Sequence, residues 1–128
     1  MDRRFELTDK IRVILASNPD VKLAVVYGSF LDQELFRDVD IAVYTGFKIP
    51  PEEAYVFQDE LSKTVGEKVN VKVDVRLIDY APPWFKLTAL SGLLLFEREY
   101  GLRSRLKFKA LQELKDLKIK RGSGIRRV

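Results

Sequence analysis

The stretch KLAVVYGSFLDQELFRDVDIAVY, residues 22–44, constrains the fold more than any other part of the chain. An aliphatic run, LAVVY, stops at Gly28 and Ser29, and a second apolar run opens on Asp38 and Asp40. Both runs are short and rich in β-branched residues, so they read as strands over 22–27 and 39–44. Alternation along an extended chain turns Asp38 and Asp40 to one face and Val39, Ile41 and Val43 to the other, into a core. Two carboxylates held side by side repel and favour protonation unless a cation sits between them. A hard divalent ion, most naturally Mg²⁺, suits such a pair, because it takes oxygen ligands and leaves room for water and phosphate. The turn before the pair has a complementary character. Gly28 lets a ligand approach the backbone, and Ser29 is a good N-cap, so a helix starting there would offer free N–H groups to an anion.

The remaining elements follow from period and punctuation. Residues 4–17 carry Leu7, Ile11, Ile14 and Leu15 at helical spacing, and Asn18-Pro19-Asp20 stops them. Pro50-Pro51-Glu52-Glu53 opens a helix that runs to about Val65, with Gly66 as its expected end. Residues 68–78, KVNVKVDVRLI, alternate strictly, with valines on one face and Lys72, Asp74 and Arg76 on the other. A short helix is predicted over 82–90, a strand over 93–97, and a long last helix from 99 to 120, ended by Gly122-Ser123-Gly124. This order predicts an α+β fold, a mixed β-sheet with helices packed mainly on one face.

Composition removes whole classes of chemistry. The 128 residues include no cysteine and no histidine. Disulfides, thiolate sites, His-based zinc sites and Ser-His-Asp catalysis are excluded. Any reaction must run on carboxylates, Lys, Arg, Tyr, Ser and a bound metal. Charge is divided along the chain: residues 1–97 hold 12 Lys/Arg against 16 Asp/Glu, and residues 98–128 hold 11 against 3. The sequence therefore divides into a core over 1–97, a basic helix over 98–121 and a loose tail over 122–128. The basic helix reads as a solvated face or a partner-docking surface, with nucleic-acid binding less favoured. Trp84, Phe85, Tyr80 and Tyr100 read as core or interface residues. No run is apolar enough to span a membrane and no secretory pattern is present, which leads to the expectation of a cytoplasmic protein.

Asp74 adds a third carboxylate on a polar strand face. Should its strand lie beside the one holding Asp38 and Asp40, the three converge, and three acids near a Gly-Ser turn describe a two-metal phosphoryl or nucleotidyl transfer site. The alternative for Asp74 is an ion pair with Lys72 or Arg76, its same-face neighbours. The whole pattern of strand, Gly-Ser, Asp-x-Asp and later strand Asp resembles the DNA polymerase β-like nucleotidyltransferase superfamily. The small size is similar to its minimal nucleotidyltransferases, the MNT proteins.

The resemblance implies a palm-like fold and residue roles. Gly28 and Ser29, with Arg37 as a further phosphate contact, would bind the nucleotide. Asp38, Asp40 and Asp74 would be catalytic and would bind two Mg²⁺ ions, with ATP or another NTP as substrate. It also implies a protein partner, a HEPN-type helical toxin, onto whose hydroxyl AMP is transferred. The spacer from Ser29 to Asp38 is shorter and bulkier than is usual there. That departure motivates a second reading, a binding module that neutralises its partner by contact. A small-molecule adenylyltransferase ranks third, since the chain has no room for an acceptor domain except through a homodimer.

Overall fold

A computed structural model describes residues 3–31 and 38–126, and the side chains of residues 3–30 and 38–117. In chain order the elements are α1 (Arg3–Ala16), β1 (Leu23–Tyr27), a 3₁₀ turn (Gly28–Leu31), β2 (Asp38–Tyr44), a 3₁₀ turn (Pro51–Glu53), α2 (Ala54–Val69), β3 (Lys72–Leu77), α3 (Pro83–Leu90), β4 (Leu93–Glu97) and α4 (Leu102–Arg126). The four strands form one mixed sheet in the order β3-β2-β1-β4. β1 runs antiparallel to both β2 and β4, while β2 and β3 are parallel. A parallel neighbour needs a crossover, and α2 supplies it.

The period-2 pattern sorts the residues into two cores. Ala24, Val26, Val39, Ile41, Val43, Val73, Val75 and Leu77 pack against Ile11 and Leu15 of α1 and Leu61 and Val65 of α2. The opposite face carries a second cluster in which Leu23, Val25 and Ala42 meet Ala89 and Leu90 of α3 and Leu102 of α4. The α+β class and the mixed sheet match the expectation. The helices, expected mainly on one face, are divided between the two, because α3 and α4 cover the part of the second face that the acids leave apolar.

Two helix ends differ from the sequence reading. α2 does not stop at Gly66 but continues to Val69 and ends on Asn70, whose left-handed conformation (φ 56°) turns the next N–H, that of Val71, back to the Gly66 carbonyl at 3.2 Å. Gly66 serves close packing instead. A Cβ there would stand 3.0 Å from the Val71 carbonyl oxygen, so only glycine lets α2 lie this near the chain entering β3. Accordingly β3 begins at Lys72 rather than at residue 68. The last helix likewise runs through Gly122-Ser123-Gly124 to Arg126, since a helix tolerates glycine at about 1 kcal/mol each.

α2 also closes the outer edge of the sheet. Ser62 Oγ accepts the Val75 N–H at 2.8 Å, and Gln58 Oε1 accepts the Leu77 N–H at 2.8 Å. Edge amides that would otherwise invite another strand are thereby satisfied from the helix. On the far side of β2, the loop after Tyr44 is tied down by Asp79. This buried carboxylate accepts the Thr45 and Phe47 N–H groups and the Thr45 hydroxyl.

Candidate active site

The acids sit on the second sheet face, at the end that α3 and α4 do not cover. β2 opens with Asp38, and the parallel register sets Asp40 opposite Asp74 on β3. On the other side, the antiparallel register sets Asp40 opposite Tyr27, the last residue of β1. Asp40 is thus the centre of a row across three strands, flanked by a carboxylate and a phenol. Asp38 lies on the same face, because strand side chains repeat every second residue. Val39 between them is fully buried in the first core, which holds the two carboxylates on their side.

The electrostatics follow from this row. Burial, then the Asp74 charge, then the Asp38 charge lift the Asp40 carboxyl above the ordinary range, and Arg76 works weakly against them. Tyr27 is pushed up to about 12, first by burial and then by Asp40. Asp74 and Asp38 therefore both bear on Asp40, and the oxygen-only chemistry of the three carboxylates fits a hard divalent cation that would relieve the repulsion. The fit is one of donor type and not of assembled geometry. Among the described residues no group of three or more His, Cys, Asp or Glu is placed to hold a metal ion. Asp74 is instead paired through Oδ2 with Arg76 Nε at 3.2 Å, the alternative that alternation along β3 allows. Both partners are about half exposed, so this pair is weak and a cation can compete for the carboxylate.

Gly28 and Ser29 lie beside this row, exposed at the surface. They begin a four-residue 3₁₀ turn rather than a longer described helix. Gly28 has φ +84°, and a Cβ on it would come 2.9 Å from Asp40 Oδ2. The glycine is needed twice, for its left-handed backbone and for the space that the central carboxylate occupies. Phe30, two residues on, is fully buried in the first core and anchors the turn. Arg37, expected as a phosphate contact, lies outside the described residues, as does the rest of the stretch 32–37.

A groove of about 810 Å³ runs from Asp38, Asp40 and Asp74 along the β3 edge and α2, reaching Tyr55, Lys63 and Glu67. Reading the sequence alone missed Tyr27 as a site residue. Its position directly before Gly28 was visible, but its placement opposite Asp40 depends on the strand pairing.

Residues 9–101 match the family described as Polymerase beta, Nucleotidyltransferase. The chain belongs to this nucleotidyltransferase family. The match takes in β1, the Gly-Ser turn, β2, β3 and β4, so every candidate acid lies within it. No curated protein matches the sequence. Solved structures do. One is a chain from the complex of a tri-AMPylated Shewanella oneidensis HEPN toxin with MNT antitoxin, 18% identical, covering 96% of each chain with a TM-score of 0.73. A chain from a toxin-antitoxin structure with AMP-PNP is 20% identical, covers 93% of this nucleotidyltransferase and 95% of the other, and has a TM-score of 0.74. A chain from the MntA-HepT toxin-antitoxin is 18% identical, covers 95% and 96%, and has a TM-score of 0.72. At these identities the likeness is one of fold. Among the described residues, no helix is long and apolar enough to cross a membrane.

Proposed function

We propose that this nucleotidyltransferase is an MNT antitoxin that transfers AMP from ATP to a hydroxyl of a helical HEPN-type partner. The observation that carries the reading is the row of Asp40 and Asp74 across parallel strands, with Asp38 on the same face and Gly28 packed against Asp40. The solved relatives include a tri-AMPylated HEPN toxin with its MNT antitoxin and a toxin-antitoxin complex with AMP-PNP, which supports both partner and nucleotide.

The residues then take distinct tasks. Asp38, Asp40 and Asp74 would hold Mg²⁺, which when bound supplies charge neutralisation on the phosphate oxygens. The exposed Gly28-Ser29 turn receives the triphosphate on the β1 side of the acids, and Arg37 extends that contact. The groove along β3 and α2 leaves the opposite side of the acids open for the partner. The partner hydroxyl attacks the α-phosphorus of ATP, its proton passes to the Asp74 carboxylate once Arg76 has released it, and pyrophosphate leaves.

Labelled ATP with Mg²⁺ and a co-encoded HEPN-type protein tests this directly. Label should appear on the partner with the wild-type chain and vanish with Asp38→Ala or Asp40→Ala. Unlabelled partner with the wild type, or equal label with the variants, would reject the reading. A second reading, neutralisation by contact alone, draws support from the Asp74–Arg76 pair, which occupies one of the required carboxylates. Under it Asp38→Ala and Asp40→Ala leave neutralisation intact.

A further inference from the structure

Next to the acids, on the same sheet face, stands an aromatic wall that the catalytic scheme does not use. Tyr27, opposite Asp40, meets Phe85 of α3 edge to face, with ring centroids 5.7 Å apart and planes at 87°. Phe85 meets Trp84 in the same manner, at 6.0 Å and 86°. The first two rings are partly buried against the second core. Trp84 is not: at 62% exposed it leaves most of its indole to solvent. The alternation of edge and face fixes each ring by the next, so the row leads rigidly from the central carboxylate to an open indole. A single exposed aromatic is ordinary, but one that ends a packed row starting at the reacting end of a site is placed to cover something.

We propose that Trp84, supported by Phe85 and Tyr27, is the platform on which the purine base of the nucleotide stacks. This rests on the nucleotide reading of the acid site and adds to it the residue that holds the base. The polarity of the face supports it. The triphosphate belongs at the Gly28-Ser29 turn and the acids, where oxygens and charges gather. α3 turns the aromatic end of the same face to the nucleoside, and a purine offers a large π surface to an indole. An indole left mostly to solvent gains from burial under a base what it cannot gain from α3 alone. Among the described residues the β3 side, with its charged groove, has no comparable wall.

Trp84 is the single tryptophan of the chain, so its emission reports the platform without labelling. The experiment pairs calorimetry with indole fluorescence during titration of the full chain with a non-hydrolysable ATP analogue and with inorganic triphosphate, both with Mg²⁺. The analogue should bind and quench or shift Trp84 emission, and triphosphate should bind without doing so. Trp84→Ala should weaken the analogue by about 5- to 150-fold, Trp84→Phe much less, and neither should alter triphosphate binding. Thermal melts of both variants exclude unfolding as the cause. Analogue binding that leaves Trp84 emission unchanged, with Trp84→Ala at wild-type affinity, overturns the platform alone. No heat with either ligand overturns the platform and the nucleotide reading together.

Discussion

Replacing Gly28 by alanine separates a backbone effect from a site effect in one residue. At φ +84° an L side chain is strained, which costs roughly 1–2 kcal/mol whatever surrounds it. The new Cβ would also meet Asp40 Oδ2 at 2.9 Å. That oxygen is the end of a side chain and can swing away, so the collision adds little to the loss of stability. Its consequence is instead that the central carboxylate leaves its place. Gly101 provides the control, since its φ is +81° but its nearest neighbour for a Cβ is Arg105 Nη1 at 3.6 Å. Both Gly28→Ala and Gly101→Ala should lose about 1–2 kcal/mol in urea unfolding, a fall in Tm of about 3–10 °C. Only Gly28→Ala should also lose nucleotide transfer, by roughly 10²-fold for a displacement near 1 Å. Wild-type transfer by Gly28→Ala, or wild-type stability, would refute the reasoning, the first for the site and the second for the backbone.

Gly66→Ala sets helix propensity, a gain of about 1 kcal/mol, against crowding of the Val71 carbonyl at 3.0 Å, a loss of roughly 1–3 kcal/mol. The backbone atom cannot swing aside, so the variant should have a lower urea midpoint, and a higher one would show that α2 and β3 can separate freely. Glu97 accepts the Gly101 and Arg103 N–H groups at 3.0 and 2.8 Å and so caps the start of α4. The bond from Arg103 and then that from Gly101 hold its carboxyl below the usual glutamate range. Its contribution is therefore present above the ordinary glutamate value and lost as pH falls through the lowered one. Urea midpoints from neutral to acid pH should fall more steeply for the wild type than for Glu97→Gln, and parallel curves would count against the cap. Asp79→Ala strands two buried or half-buried amides and the Thr45 hydroxyl and should cost about 2–4 kcal/mol by the same measurement. A loss below about 1 kcal/mol would mean that water replaces the carboxylate at no great cost.

Much of the site was legible before any fold was known. Asp38 and Asp40 on a strand with period 2 must share a face, and Val39, Ile41 and Val43 must share the other. The same rule put Asp74 on a polar face together with Lys72 and Arg76. It also left open whether Asp74 turns to the acids or to the arginine, because both lie on that face at similar range. Gly66 misled for a related reason. A glycine near the end of an apolar period reads as a stop, and nothing local distinguishes a stop from a contact with the chain entering a strand, five residues later.

The sequence alone determined the strand faces, the residue types available for chemistry and the family pattern, since these depend on alternation, composition and short spacing within one segment. Tertiary structure decided which segments meet. The crossover through α2 set β3 parallel to β2 in the register that brings Asp74 opposite Asp40, and the β1–β2 pairing brought Tyr27 to the other side. It also left Trp84 exposed at the end of a row of rings while Phe85, one residue on, packs into the core. Those outcomes come from contacts between distant residues, whose energies are set by how whole elements pack and not by any neighbour along the chain.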